Sequence, residues 1–235
     1  ILFTDLETGE EHPKREIEIT WSVEEAQKGE YAHFMLKEIM EQKDSIARAV
    51  NQDDDQIKVI ADAIKNAQGT FLVGSGTAHK ACMAAEYFFS VIAKHHVNVT
   101  SGGEFKVHHH FLKPESLMIV VSQSGETADI LEAYKVAQRK KVKTVGVVNV
   151  IGSSIARSRD IVLPVNAGIE KAVASTKATT AQLAILTLLA YAVADKLDTG
   201  RQMLATASSQ IDELLNPRYS QHLEKIARKI KNVES

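Results

Sequence analysis

Several things are scarce in this 235-residue chain, and each scarcity narrows its role. Its one cysteine, Cys82, forms no internal disulfide, which favours a reducing compartment; cytoplasm is the expectation. Neither charge is in excess. Twenty-eight basic residues face 30 acidic ones, a formal net charge of -2, which argues against a nucleic-acid footprint or a polyanionic tail. The most apolar run, "AQLAILTLLAYAVA" at 181–194, falls short of the roughly 20 residues a bilayer span needs. It reads as a buried core helix, and no membrane partner is expected. No secretory leader is expected either, since the first residues alternate in character and carry early acids.

Familiar catalytic spacings are missing as well: there is no Walker lysine motif, Ser-His-Asp spacing or paired-carboxylate signature. In "GSGTAH" at 74–79, His79 stands where a dinucleotide loop needs its third glycine, and no acid follows about 20 residues on to take a ribose. The run "HHH" at 108–110 is a poor metal site, because successive helical residues point roughly 100° apart and do not converge on one ion. Cys82 lies in an alanine-rich helical stretch and reads as packing. No metal or cofactor is expected. Glu104, Glu126 and Glu170 fall near strand ends, but nothing in the sequence selects one of them as a base.

What the chain does have is rhythm. Helical spacing runs through "EYAHFMLKEIMEQKDSIARAV" at 30–50 and "DDDQIKVIADAIKNA" at 53–67, where the acids suit a helix N-terminus. From Thr70 onward five short apolar strands alternate with helices: "TFLVGSG", "VNVT", "SLMIVVSQ", "TVGVVNV" and "DIVLPVNAG". Continuous apolar strands of this kind predict an α/β fold, a doubly wound five-stranded parallel sheet flanked by helices, with extra N- and C-terminal helices. Ile17, Ile19 and Trp21 alternate like a strand, and "ETGEE" is a turn candidate between that segment and "ILFTDL". The expected division is a remnant or linker from an upstream domain at 1–21, a domain with its leading helices at 22–198, and a helical segment at 199–235.

Three strand ends are rich in small and hydroxyl residues: "GSGTA", "SQSGET" and "GIEKAVASTKA". Open α/β sheets bind ligands outside the carboxyl ends of their strands, so these loops predict one shared crevice. In "SQSGET", Gly125 permits close backbone approach while Ser122, Ser124 and Thr127 supply hydroxyls at a helix N-terminus, which favours an anion. With no lysine or arginine inside the motif, a phosphate monoester suits it better than a nucleotide triphosphate on a metal. The competing reading is that Ser124 or Thr127 only caps the helix, a common duty of hydroxyl residues. Thr77 is open to the same two readings.

In this order and at these distances, "SQSGETAD", "NVIGSSIARSRD" and "VASTKATTAQL" resemble the sugar isomerase (SIS) domain. With "KGEYAHFMLKEIMEQ" and "SGGEFK" upstream, the chain more closely resembles the first of two such lobes in the glucosamine-6-phosphate synthases, over roughly residues 5–197. That family converts fructose 6-phosphate and glutamine to glucosamine 6-phosphate and glutamate. The resemblance implies that Ser122, Gln123, Ser124 and Thr127 hold the sugar phosphate, and that Thr77, Val173 and Ser175 line the sugar. It also implies a homodimer, an upstream glutaminase domain and a second SIS lobe that carries the catalytic base. This chain, lacking a catalytic residue of its own, is then expected to bind fructose 6-phosphate or glucosamine 6-phosphate without turning it over. A stand-alone SIS module sensing a sugar phosphate, or a single-lobe ketose-aldose phosphate isomerase, are the alternatives. Three positions depart from the family pattern: Ala78 where a serine is usual, Ala172 where a glycine is usual, and Thr179 in place of a phenylalanine.

Overall fold

The computed structural model describes residues 3–4, 7–12, 25–157, 161–216 and 219–233. Near the start, β1 (Phe3–Thr4) pairs antiparallel with β2 (Glu11–His12) across a turn that includes Gly9 at φ 71°. The expected turn is present, but its second strand comes earlier than Ile17, Ile19 and Trp21, which lie outside the described residues.

Three helices lead into the main sheet: α1 (Phe34–Met40), α2 (Gln42–Val50) and α3 (Asp54–Asn66). The single helical pattern across 30–50 is thus two helices, parted at Glu41 (φ -83°, ψ 0°) with no glycine or proline to mark the break. Asp53 caps α3 by accepting a hydrogen bond from the Gln56 N–H at 2.8 Å, and Asp54 and Asp55 occupy its first turn, as the acids predict.

The sheet strands are β3 (Thr70–Gly74), β4 (Asn98–Ser101), β5 (Leu117–Ser122), β6 (Lys143–Val148) and β7 (Ile161–Pro164). All pair in parallel in the spatial order β4-β3-β5-β6-β7. Every residue of β3 and β5 is buried, which is why both read as unbroken apolar runs. Alternate side chains feed two cores. Leu72, Ile119, Val121, Val145 and Val147 face a larger core shared with α2, α3, α4 (Thr77–Phe88) and α7 (Lys177–Val193). Phe71, Val73, Met118 and Val120 face a smaller one with α5 (Phe105–His108) and α6 (Ala128–Arg139). The apolar run 181–194 is indeed a core helix: Ala181, Ile185, Leu188 and Leu189 are all fully buried on α7. Among the described residues, no helix is long and apolar enough to cross a membrane.

Two further helices follow, α8 (Leu197–Leu214) and α9 (Ser220–Ile230). A left-handed Asp195 (φ 58°) separates α7 from α8. Arg201 of α8 ties this segment back by donating to the carbonyls of Val50 and Gln52 and to the Asp54 carboxylate.

Candidate functional site

The register aligns the strand ends. Gly74 lies beside Ser101 and Val121, Ser122 beside Val148, and Val148 beside Pro164, so the loops after all five strands leave one edge of the sheet. Strand order reverses between β3 and β5, and that is where open α/β sheets place their ligands. The "GSGTA" and "SQSGET" loops flank this switch point.

The loop at 122–127 is built around Gly125, whose φ of 65° suits glycine. A Cβ there would lie 2.1 Å from Ser153 Oγ, so no side chain fits between the loops after β5 and β6. Further bonds hold the same two loops together. The Gln123 carbonyl accepts from the N–H groups of Asn149 and Val150, each at 3.3 Å, and the Glu126 carboxylate accepts from the Ser154 N–H at 2.6 Å. Ser122 is buried, and its Oγ accepts from the Gly125 N–H at 3.0 Å, leaving its own proton free to donate.

Thr127 occupies the N-cap of α6, yet its hydroxyl makes no bond to the helix backbone. It lies 3.5 Å from Ser124 Oγ, which in turn accepts from the Glu126 N–H at 3.2 Å. The first N–H groups of α6 therefore lack a side-chain cap from Thr127, and the hydroxyls of Ser124 and Thr127 lie together at that helix start, an arrangement suited to an anion.

Around this loop the other expected site residues are placed unequally. Thr77 is exposed in the first turn of α4, behind a Gly76 N-cap at φ 57° and ψ -126°, so Thr77 is not itself the cap. Ala78 is turned into the larger core. Ser75 packs under Gly102, where a Cβ would come within 2.9 Å of Ser75 Oγ and 2.7 Å of Ile130 Cδ1. On the far side, Val173 is fully exposed at 107% of its reference area. Ser175 is half-buried and donates to Glu170 Oε2 at 2.8 Å.

The three candidate carboxylates are all engaged. Glu104 accepts from Ser101 Oγ at 3.0 Å. The Ser154 N–H, then its hydroxyl, holds the Glu126 carboxyl below the usual carboxylate range. Glu170 Oε1 accepts from the N–H groups of Thr176 at 2.8 Å and Ala178 at 3.2 Å, capping the start of α7. Each of the three fixes a loop. In the histidine run, the ring nitrogen Nδ1 of His109 pairs with the Lys106 carbonyl at 2.5 Å, and the rings of His109 and His110 are tilted by 39° with their centres 3.9 Å apart. Among the described residues, no group of three or more His, Cys, Asp or Glu is placed to hold a metal ion. Burial pushes the Cys82 thiol up to about 12, which makes it inert.

Two residues that the sequence did not single out shape this edge. Glu38 of α1 is buried and accepts from the N–H groups of Lys171 at 2.5 Å and Ala172 at 3.1 Å. Lys177, only 3% exposed, meets Glu41 at 2.5 Å. Both carboxylates sit in an ordinary amphipathic helix pattern, and their partners lie more than a hundred residues away, so no local signal marks them.

Comparison with known proteins agrees with this architecture. The chain is 38% identical over 198 residues to the glutamine–fructose-6-phosphate aminotransferase (isomerizing) of Thermococcus kodakarensis, covering 84% of this chain and 33% of that protein. With the same-named protein of Caldanaerobacter subterraneus it shares 41% over 190 residues, covering 77% and 31%. The chain thus spans about a third of the length of these relatives. Among solved structures, the C-terminal domain of glucosamine-fructose-6-phosphate aminotransferase from Francisella tularensis superposes with a TM-score of 0.70 at 28% identity, covering 88% of this chain and 61% of that one. Finally, the SIS domain family matches residues 63–192, more than half of the chain and nearly all of the sheet and its loops, and to that family the chain belongs.

Proposed function

We propose that this chain is the first of two SIS lobes of a glutamine–fructose-6-phosphate aminotransferase, and that it holds the sugar phosphate without supplying the base that turns it over. The observation that carries this reading is the loop at 122–127: a left-handed glycine pinned against Ser153, with the hydroxyls of Ser124 and Thr127 3.5 Å apart at a helix start that no side chain caps. In this reading the phosphate rests on the first N–H groups of α6 and on Ser122, Gln123, Ser124 and Thr127. Thr77, Val173 and Ser175 line the sugar. Relatives near 40% identity that carry the aminotransferase name support the ligand class.

The engaged state of Glu104, Glu126 and Glu170 supports the second half of the proposal. Opening, aminating and isomerising the sugar then fall to a second lobe and a glutaminase domain, while this chain binds fructose 6-phosphate or glucosamine 6-phosphate. Residues 22–198 form the SIS unit with its leading helices, 1–21 lead in from the upstream domain, and 199–235 extend beyond. The working assembly is a cytoplasmic homodimer that engages neither nucleic acid nor membrane, in keeping with a near-neutral surface and one buried thiol.

Calorimetric titration with fructose 6-phosphate and glucosamine 6-phosphate, on the wild-type chain and on Ser124→Ala, tests the assignment. Loss of one hydrogen bond to a charged phosphate should weaken binding by roughly 1.5–3 kcal/mol, about tenfold to a hundredfold. Unchanged affinity would remove the phosphate from this loop. Glucosamine 6-phosphate formed by the chain alone would overturn the binding-only role.

A further inference from the structure

We propose that Glu38 is a positioning residue of the sugar site, acting on the ligand only through the main chain of Lys171 and Ala172. The inference rests on the reading of Val173 and Ser175 as the sugar wall. Glu38 lies outside residues 63–192, so the fixing of that wall depends on a helix that the SIS family match does not include.

The segment between β7 and α7 has no regular structure, and both Asn166 (φ 57°) and Gly168 (φ 79°) adopt left-handed backbone. Its main chain is held largely by side chains from elsewhere. Arg48 donates to the carbonyls of Asn166 and Ala167, and Asn149 bonds both the Ala167 N–H and the Gly168 carbonyl. Farther along, Glu38 takes the N–H groups of Lys171 and Ala172, and Glu170 takes those of Thr176 and Ala178. Val173 and Ala174 span the gap between these two carboxylates.

Glu38 is the more constrained of the pair. Its side chain is buried at 2% exposure, and no ion pair joins it to a cation among the described residues. A buried carboxylate must keep its donors or remain desolvated and unsatisfied, and charge-assisted bonds of this kind are the strong ones. The main chain at 171–172 therefore has one favoured position relative to α1, and the exposed Val173 follows from it. Lys171 strengthens the link: its ammonium donates to the Ala26 carbonyl at 2.6 Å and stands 5.3 Å from the centre of the Phe34 ring. Lys37 meanwhile holds the carbonyls of Glu25 and Gln27 at 2.6 Å each. The leading segment is in this way stitched to Lys171 and Ala172, while among the described residues the phosphate loop takes no bond from Glu38, Lys37 or Lys171 and is anchored on the loop after β6, whose Asn149 also holds Ala167 and Gly168.

That separation supplies the test. Fructose 6-phosphate and inorganic phosphate are titrated into the wild-type chain, Glu38→Gln and Glu38→Asp, and amide exchange is followed at Lys171 and Ala172. Glu38→Gln should lose about tenfold in affinity for fructose 6-phosphate while inorganic phosphate stays within about twofold. Glu38→Asp keeps the charge, should fold if the glutamine variant does not, and should fall between. Both amides should exchange faster in the glutamine variant. A parallel loss for the two ligands would reduce Glu38 to a general stabiliser, and an unchanged fructose 6-phosphate affinity with faster exchange would overturn the proposal. A wild-type chain that binds phosphate but not fructose 6-phosphate would instead overturn the sugar-wall reading, and unaltered exchange in Glu38→Gln would separately dismiss the clamp.

Discussion

Gly125 and Ser153 meet with no room between them: a methyl on the glycine would lie 2.1 Å from the serine Oγ and 2.5 Å from its Cβ. The strand-to-helix loop and the loop after β6 therefore interlock at one point. Gly125→Ala is expected to cost about 1–2 kcal/mol for its left-handed backbone alone, with the clash added. Combining it with Ser153→Gly should relieve the clash and leave the backbone cost, so urea melts of the single and double variants should differ. Equal midpoints would show that the contact is not limiting.

Lys177 and Glu41 give a second expectation. The lysine side chain is 4% exposed and the carboxylate is 2.5 Å away, so removing the acid strands a buried charge. Glu41→Ala should destabilise the chain by about 3–5 kcal/mol, and Glu41→Ala with Lys177→Met should recover most of that, because replacing both members of a buried pair is often near neutral. Urea denaturation at neutral pH measures both. A double variant as unstable as the single one would place the cost in packing.

For Glu126 the expectation concerns pH. Its carboxyl is held below the usual range by the Ser154 N–H, so the charged form is favoured in the fold. A depressed folded pKa gives a contribution that is present above the ordinary carboxyl value and lost as pH falls through the lowered one. The gap in urea midpoint between wild type and Glu126→Gln should therefore be full above about pH 5 and close progressively in more acid solution. A gap that stays constant through acid would dismiss the tether.

Cys82 offers the opposite sign. Burial raises its thiol to about 12, so the neutral form is favoured, and that contribution is present below the ordinary thiol value and lost as pH rises toward 12. At pH 8 the folded chain should react with iodoacetamide on the order of a thousandfold more slowly than an unfolded peptide thiol. Added urea should restore the rate in step with unfolding. Rapid labelling without urea would mean that α4 opens locally.

The strands and the glycine turn at 122–127 were legible because their signals are local. Apolar runs such as 117–122 mark buried strands, and hydroxyls with glycine at 122–127 mark a turn into a helix. The breaks at Glu41 and Asp195 were not legible, since neither carries glycine or proline and Glu41 is held by a lysine 136 positions away. Glu126 and Glu170 were visible as acids near strand ends, but their engagement depends on N–H groups whose position only the fold supplies. Glu38 left no trace at all. In an amphipathic helix a buried glutamate and an exposed one are written alike.

The neighbouring placement of β3 and β5 has a thermodynamic consequence. Their loops flank the proposed crevice, and the parallel register that sets Gly74 beside Val121 holds the two strands in place. A partly folded chain without that pairing has no site to offer, so any ligand held there acts against global unfolding and not against a local opening. At a hundred times its dissociation constant such a ligand adds about 2.7 kcal/mol to the whole domain. Amides deep in β3 and β5 that exchange only by complete unfolding should slow by the same factor, although the ligand touches none of them.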